Sequence, residues 1–332
     1  MATIYDVAAA AGLSIGTVSR FLNEGYVSAA SRRKIERAIS ELGFVPSGAA
    51  RTLSTKKSRL IGFVVSDMSN PFSSELAKAV QERADELDYC AVTYGTNHDD
   101  GRARRGIETL RGHGVDGLVV GLPESAPANE LLRSVAEQGI PLVLVGMRVM
   151  HPNCDRVSTD TYDGAMQAMD HLIDLGHERI GFIGAADQGK GRRRAFVDAL
   201  TRTSSAIDPE LIVEGPLTRE GGLEGASRLL SLDRPPTAIF ATNDVMALGV
   251  YEAAYRQGLH VPRDLSVVGF DDIDLARHAV PALTTVSQPK TEMGHEAVRL
   301  LEARLTAETP PSSKETLFRC GLVVRDSTAP PS

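Results

Sequence analysis

The stretch GAADQGKG, Gly184–Gly191, comes close to the phosphate-cradling pattern G-x-x-x-x-G-K-[ST], and it follows an apolar run and opens a helical one. Its backbone N–H groups and Lys190 would hold the phosphates of a nucleotide, so a phosphoryl-transferring NTPase is one activity to weigh. The pattern breaks at its last position, where Gly191 replaces the hydroxyl that would hold Mg²⁺. A milder version keeps Lys190 and Arg192 as partners of a phosphorylated ligand. His171 and His177 stand six apart, on either side of Gly176, and so do not share a helix face as metal ligands at i, i+4 would. Structural roles are expected for both, with no metal site and no cofactor. No Ser-His-Asp set or carboxylate pair stands out, so no catalytic residue is assigned.

Another kind of chemistry is offered by GLSIGTVSRFLN, Gly12–Asn23. At helical spacing Val18, Phe21 and Leu22 cluster on one side. Gly16 and Arg20 fall opposite, with Ile15 and Ser19 along one edge. An arginine on an open helix face can pair bidentately with guanine O6 and N7, and a branched aliphatic side chain can meet a thymine methyl. Gly16 permits close approach and nothing more. Ile15 sits near the edge of the apolar stripe, so thymine contact and partial burial both stay open for it.

So short a helix needs partners to be stable. Thr3 reads as an N-cap with Asp6 at N3 for a helix over 4–11, stopped by Gly12. Ser14 caps a second helix, Ile15 to about Leu22, and Ser28 opens a third that runs to about Leu42 and closes at Gly43. Val7, Ala8, Ala11, Leu13, Val18, Leu22, Ile35, Ile39 and Leu42 are expected to face inward. Two helices joined by a tight Gly-Leu-Ser turn form a helix-turn-helix, whose second helix enters a major groove. Charge points the same way. Residues 1–59 hold nine basic and four acidic side chains, net +5, against 27 basic and 39 acidic in the remainder, net −12. A basic head on an acidic body is the asymmetry of a DNA reader.

The run TIYDVAAAAGLSIGTVSRFLNEGYVS closely resembles the amino-terminal signature of the LacI/GalR family of bacterial transcription regulators, and the similarity extends over essentially the whole chain. The resemblance implies that Ile15, Gly16 and Arg20 read bases, while Thr3, Ser14, Thr17, Ser19, Asn23 and Tyr26 meet phosphates or the adjoining backbone. The loop after Asn23 is one residue shorter than in many relatives, and Ala29-Ala30 replace acidic residues common there. The counterpart of VPSGAARTLSTKKS, Val45–Ser58, is a hinge that becomes helical on DNA, and it makes Leu53 the minor-groove wedge. Gly48 weakens that helix when free by about 0.5–1 kcal/mol.

From Arg59 onward, short apolar runs at 60–66, 90–95, 116–121, 141–146, 179–184, 237–242 and 265–270 alternate with amphipathic helical segments. This is the pattern of doubly wound α/β layers. Similar runs on either side of Asp160 point to two lobes with a ligand at the carboxyl ends of the strands. The expected architecture is therefore α/β: a helix-turn-helix head over 1–45, a hinge over 46–58, and two periplasmic-binding-protein-like lobes of parallel sheet. The first lobe is 59–160 with about 288–316, and the second 161–287 with about 317–328. By resemblance, Phe72, Ser73, Arg192, Asn243, Asp244 and Asp271 contact the effector, with Asp160 as an addition. Helix capping for Asp244, a turn carboxylate for Asp271 and lobe core for Phe72 remain open alternatives. Gly146-Met147-Arg148 departs from an Asp-Arg pair common in relatives, and the chain has no tryptophan to stack on a sugar.

The expectation is a ligand-responsive regulator, a repressor, that binds a palindromic double-stranded operator as a homodimer. Its effector would be a sugar, sugar phosphate or nucleoside. The competing readings are the NTPase and a sugar-binding transport protein without a DNA role. Against the latter, the start MATIYDVAAAAG lacks a basic export leader and Asp6 interrupts its apolar run. No run is long enough to span a bilayer. Cys90, Cys154 and Cys320 are too scattered for a disulfide framework, and the expected compartment is the reducing cytoplasm. No heptad extension follows Arg325-Asp326-Ser327, so dimers rather than coiled-coil tetramers are expected.

Overall fold

A computed structural model describes residues 2–23, 25–45, 57–123, 125–147, 151–185, 190–203, 207–309 and 311–332. The chain divides into two compact units, Met1–Leu60 and Ile61–Ser332. Leu53, the predicted wedge, and most of the predicted hinge lie outside the described residues.

The first unit holds α1 (Ile4–Ala11), α2 (Ile15–Leu22) and α3 (Ala29–Leu42). Each start and stop follows local chemistry. Thr3 and Asp6 exchange hydrogen bonds in a capping box, and Ser14 and Ser28 cap the next two helices. Gly12 and Gly43 close α1 and α3 in the left-handed conformation, φ 64° and 57°. Val7, Ala8, Ala11, Val18, Ile35, Ala38 and Phe44 form the core, with Leu13, Phe21, Leu22 and Ile39 packed against it. One expected core residue fails: Leu42 is exposed, and Phe44 takes its place. The turn at Gly43 reverses the chain after the last helical residue, and periodicity along α3 cannot register that reversal.

In the second unit β1 (Leu60–Val65), β2 (Cys90–Gly95), β3 (Gly117–Gly121), β4 (Leu142–Val145), β5 (Cys154–Thr159) and β11 (Glu315–Phe318) form one sheet, in the order β11-β5-β4-β3-β1-β2. A second sheet, β12-β10-β9-β8-β6-β7, is built from β6 (Ile180–Gly184), β7 (Ile212–Glu214), β8 (Ala238–Ala241), β9 (Ser266–Asp271), β10 (Thr284–Ser287) and β12 (Gly321–Val323). The β3–β1, β4–β3 and β5–β4 pairings are parallel, as are β6–β8 and β8–β9, whereas β12 runs antiparallel to β10. The connecting helices are α4 (Pro71–Asp85), α5 (Asp100–Gly112), α6 (Ala126–Glu137), α7 (Thr161–Asp174), α8 (Lys190–Arg202), α9 (Arg219–Leu230), α10 (Asp244–Arg256), α11 (Asp274–His278) and α12 (Lys290–Thr306).

Both faces of each sheet are covered, which is why the central strands read as unbroken apolar runs. The chain passes between the sheets at 159–161, 287–290 and 318–321, and α12 returns to pack on α4 and β3–β5 of the first. Hydropathy does not reveal β5, β7, β10, β11, β12 or α12. In CDRVST and ETLF the charged Asp155, Arg156 and Glu315 interrupt any apolar run, and IVE is only three residues long.

His171 and His177 have the structural roles expected of them. His171 Nε2 lies 2.9 Å from Thr328 Oγ1. The His177 imidazole bridges Thr237 Oγ1 (2.8 Å), Ser266 Oγ (3.0 Å) and the Ala329 carbonyl (2.9 Å), tying the carboxy-terminal residues to the second sheet. Burial pushes the pKa of His177 below its usual 6.5. The unfolded chain therefore takes up this proton more readily. The stability it contributes is complete above pH 6.5 and is lost as pH falls below 6.5 through the lower folded value. Melting curves between pH 8 and 5 should show a smaller acid-side loss for His177→Gln than for the parent. Equal losses would contradict this.

Candidate functional site

Two surfaces carry the predicted residues, one in each unit. In the head, Val18 is fully buried while Ile15 is 43% exposed, so α2 turns Val18 inward and leaves part of Ile15 open to solvent. Gly16 has open space around it, with only Ser14 Oγ at 3.9 Å from where a Cβ would stand. Arg20 is exposed, and its guanidinium has no hydrogen-bond or ion-pair partner among the described residues. The hydroxyls serve the helix itself: Ser14 Oγ accepts from Thr17 N (3.2 Å) and shares a hydrogen bond with Thr17 Oγ1 (2.9 Å). Asn23 Nδ2 donates to the Ser19 carbonyl at 2.9 Å. Tyr26 projects almost fully into solvent. Thr3 and Ser14 cap α1 and α2, Ile15, Gly16, Thr17, Ser19 and Arg20 belong to α2, and Asn23 and Tyr26 follow it.

In the second unit a cavity of about 460 Å³ opens at the carboxyl ends of both sheets. It brings together Phe72, Ser73, Asp160, Arg192, Asn243 and Asp271. Phe72 packs against the cores of both lobes, so its lining role and its core role coexist. Asn243, at the end of β8, caps α10 by accepting from Met246 N at 2.7 Å. Asp160 does the same for α7, accepting from Asp163 N at 2.9 Å.

Asp244 is the exception. It does not line the cavity; its carboxylate is buried, accepting from Ile273 N (2.8 Å) and from Thr285 Oγ1. Burial raises its pKa well above the usual carboxylate value. It occupies the first position of α10, where its side chain turns inward beneath β9. Only a glycine at 269 leaves room for it, since a Cβ there would lie 2.2 Å from Asp244 Oδ1. The capping considered for Asp244 is performed by Asn243.

Arg192 and Asp271 form the electrostatic centre. Arg192 Nη1 donates to the Thr242 carbonyl at 2.8 Å, Nη2 lies 3.8 Å from Asp271 Oδ1, and the guanidinium sits 4.0 Å from the centre of the Phe270 ring. Its buried Nε has no partner among the described residues. Burial lowers the pKa of the guanidinium. Burial also raises Asp271 to about 6, against the opposing pull of Arg192 and of the hydrogen bond from Gln288 Nε2 (2.7 Å). Asp271 and Asp272 both hold left-handed backbone, φ 115° and 51°. Lys290 supports them: its Nζ donates to the Asp271 carbonyl (2.6 Å) and the Asp272 carbonyl (2.8 Å), and lies 3.3 Å from Glu75 Oε2 on α4. Gln288 Oε1 accepts from Thr159 Oγ1 at 2.6 Å, so one chain of hydrogen bonds joins β5, the crossing segment and β9.

The cavity also recruits residues that motif reading misses. Ser66, Asp67 and Asn70 follow β1, His98 follows β2, Met147 follows β4, and Thr159 and Tyr162 flank Asp160. Their common signal is position just past a strand end. Of the phosphate-cradle stretch, 186–189 and the Lys190 side chain lie outside the described residues, as does Arg148. Gly191 has a packing reason to be glycine: a Cβ there would stand 2.6 Å from Thr161 Oγ1.

Comparison with known proteins matches both parts of the chain. A family model for bacterial regulatory proteins of the lacI family matches residues 3–47, and one for a periplasmic binding protein-like domain matches 169–328. The chain is 38% identical over 333 residues to the HTH-type transcriptional regulator DegA of Bacillus subtilis (strain 168), covering 99% of this chain and 98% of DegA. It is 37% identical over 314 residues to the ribose operon repressor of Escherichia coli (strain K12), covering 93% of this chain and 94% of the repressor. The structure of the lac repressor dimer bound to operator and the anti-inducer ONPF superposes with a TM-score of 0.86 at 29% identity, covering 99% of each chain. These relatives are regulators rather than enzymes, and the NTPase reading finds no support among them. The chain belongs to the LacI family of bacterial regulatory proteins, as a ligand-responsive, DNA-binding transcriptional regulator.

Proposed function

We propose that this regulator is a repressor that binds a palindromic operator as a homodimer in the cytoplasm and senses an uncharged sugar in the cavity between its lobes. The domain plan is a head over 1–45, a hinge over 46–58, a first lobe of 59–160 with about 288–316, and a second of 161–287 with about 317–328. Ile15, Gly16 and Arg20 read bases, Thr3, Ser14, Thr17, Ser19, Asn23 and Tyr26 hold the backbone, and Leu53 wedges the minor groove. Dimerisation is supported by apolar groups left in solvent on neighbouring segments of the second lobe: Tyr255 of α10, Leu275 of α11 and Val280 just after it. It also accords with the lac repressor, which binds operator as a dimer.

The observation that carries the effector reading is the Arg192–Asp271 pair, buried at the strand ends beside Phe72. A guanidinium and a carboxylate with spare hydrogen-bonding capacity suit vicinal hydroxyls, and an aromatic side chain beside them suits the apolar face of a sugar ring. Charge favours a neutral ligand: among the described residues the lining carries Asp67, Asp160, Asp271 and Glu315 against Arg192 and His98. The name of the ribose operon repressor points to sugars as well. Ligand must bind one lobe arrangement better than the other in order to act. Closure of the cleft on a sugar alters the spacing of the paired hinges and releases the operator.

A thermal-shift panel of sugars, sugar phosphates and nucleosides, followed by DNA binding with each hit, tests this reading. An uncharged sugar should raise the melting temperature and weaken operator binding, and its phosphate ester should do neither. Stabilisation by sugar phosphates alone would overturn it. For the head, Arg20→Ala should cost about 1–3 kcal/mol at a single base pair of each half-site. Affinities for duplexes changed one base pair at a time measure that cost.

A further inference from the structure

We propose that Gly25 is a positioning residue for Arg20: its bare Cα lets the turn after α2 lie against the stem of the arginine and so sets the direction in which the guanidinium leaves the helix. The proposal rests on the reading of Arg20 as a base contact. After α2 ends, the chain folds back until Gly25 N donates to the Arg20 carbonyl at 2.7 Å. A Cβ on Gly25 would stand 2.5 Å from Arg20 Cγ and 3.0 Å from Arg20 O. Cγ lies near the root of the side chain, so the overlap cannot be relieved by moving the far end. Arg20 would have to leave its rotamer, or the turn would have to open.

The other glycines of the head show why this one differs. Gly12 and Gly43 are demanded by left-handed backbone, and Gly16 has room for a methyl group. At Gly25 the obstacle to a Cβ is Arg20 itself, through its Cγ and its carbonyl oxygen. The guanidinium has no partner among the described residues. A rotamer restricted before binding loses less entropy when the bidentate pair to a base forms. The turn thereby acts on sequence reading without touching DNA.

The test uses the full chain and a random-sequence duplex pool. Parent, Arg20→Ala, Gly25→Ala and the double variant are each used to select duplexes, and all four are titrated against the duplex selected by the parent. Arg20→Ala should flatten the base preference at one position of each half-site. Gly25→Ala should flatten that same position and weaken binding about tenfold, within the range expected for one bidentate contact. The double variant should bind like Arg20→Ala alone, because Gly25 acts only through Arg20. Should Gly25→Ala select the parent motif at parent affinity while Arg20→Ala flattens it, this inference fails and the base-contact reading stands. If Arg20→Ala also leaves the motif unchanged, both fail. Additive losses in the double variant would mean that the turn supports the head in general, which also overturns the proposal.

Discussion

Arg192→Met is expected to lose about 2–5 kcal/mol of effector binding, the usual range for truncating a buried charged group that a partner must pair with. Methionine replaces the arginine stem but removes the guanidinium that sits over the Phe270 ring. The loss comes from the Thr242 carbonyl, which no longer receives its hydrogen bond, and from Asp271, which loses the cation beside it. With that cation gone, burial acts on Asp271 unopposed by Arg192, and its pKa should rise further above about 6. The variant should still bind operator without effector, since Arg192 belongs to the second unit and the residues proposed to read DNA to the first. Calorimetry with the sugar identified by the melting panel, alongside operator titrations, separates the two properties. Unchanged effector affinity would remove Arg192 from the binding site.

Asp155→Ala is expected to destabilise the second unit by about 3–5 kcal/mol, because it leaves the Arg304 guanidinium buried and unpaired. The pair is bidentate, with Arg304 Nε and Nη2 at 2.7 and 2.8 Å from the carboxylate, and the two side chains are only 2% and 4% exposed. Asp155 also accepts from Lys314 N at 2.7 Å. One carboxylate thus joins β5, α12 and the entry to β11, three segments distant in sequence. Replacing both partners, as Asp155→Leu with Arg304→Met, should recover most of the loss, because two apolar groups of similar volume leave no charge stranded. Denaturant unfolding of the parent, the single variant and the double variant measures the effect. A single variant as stable as the parent would show the pair to be dispensable.

Much of the head was legible before any coordinates. Thr3 with Asp6, Ser14, Ser28, Gly12 and Gly43 act on their own nearest backbone, so their positions alone set where α1, α2 and α3 begin and end. The apolar central strands were legible for a related reason: burial on both faces demands an unbroken apolar run. Leu42 went the other way because its fate depends on how the chain turns after Gly43. The cavity was partly legible. Six of its predicted residues converge, and Asp244 does not, since its carboxylate answers to Ile273 and Thr285 from later in the chain.

By itself the sequence determined the helix-turn-helix, the charge contrast between head and body, the alternation of strands and helices, and the family. Each of these depends on near neighbours in the chain or on composition. Tertiary structure alone decided the return of α12 to the first sheet, the capture of Asp155 by Arg304, and the Lys290 support beneath Asp271. These depend on distances between side chains that folding brings together, and hydropathy and spacing along one chain carry no measure of those distances.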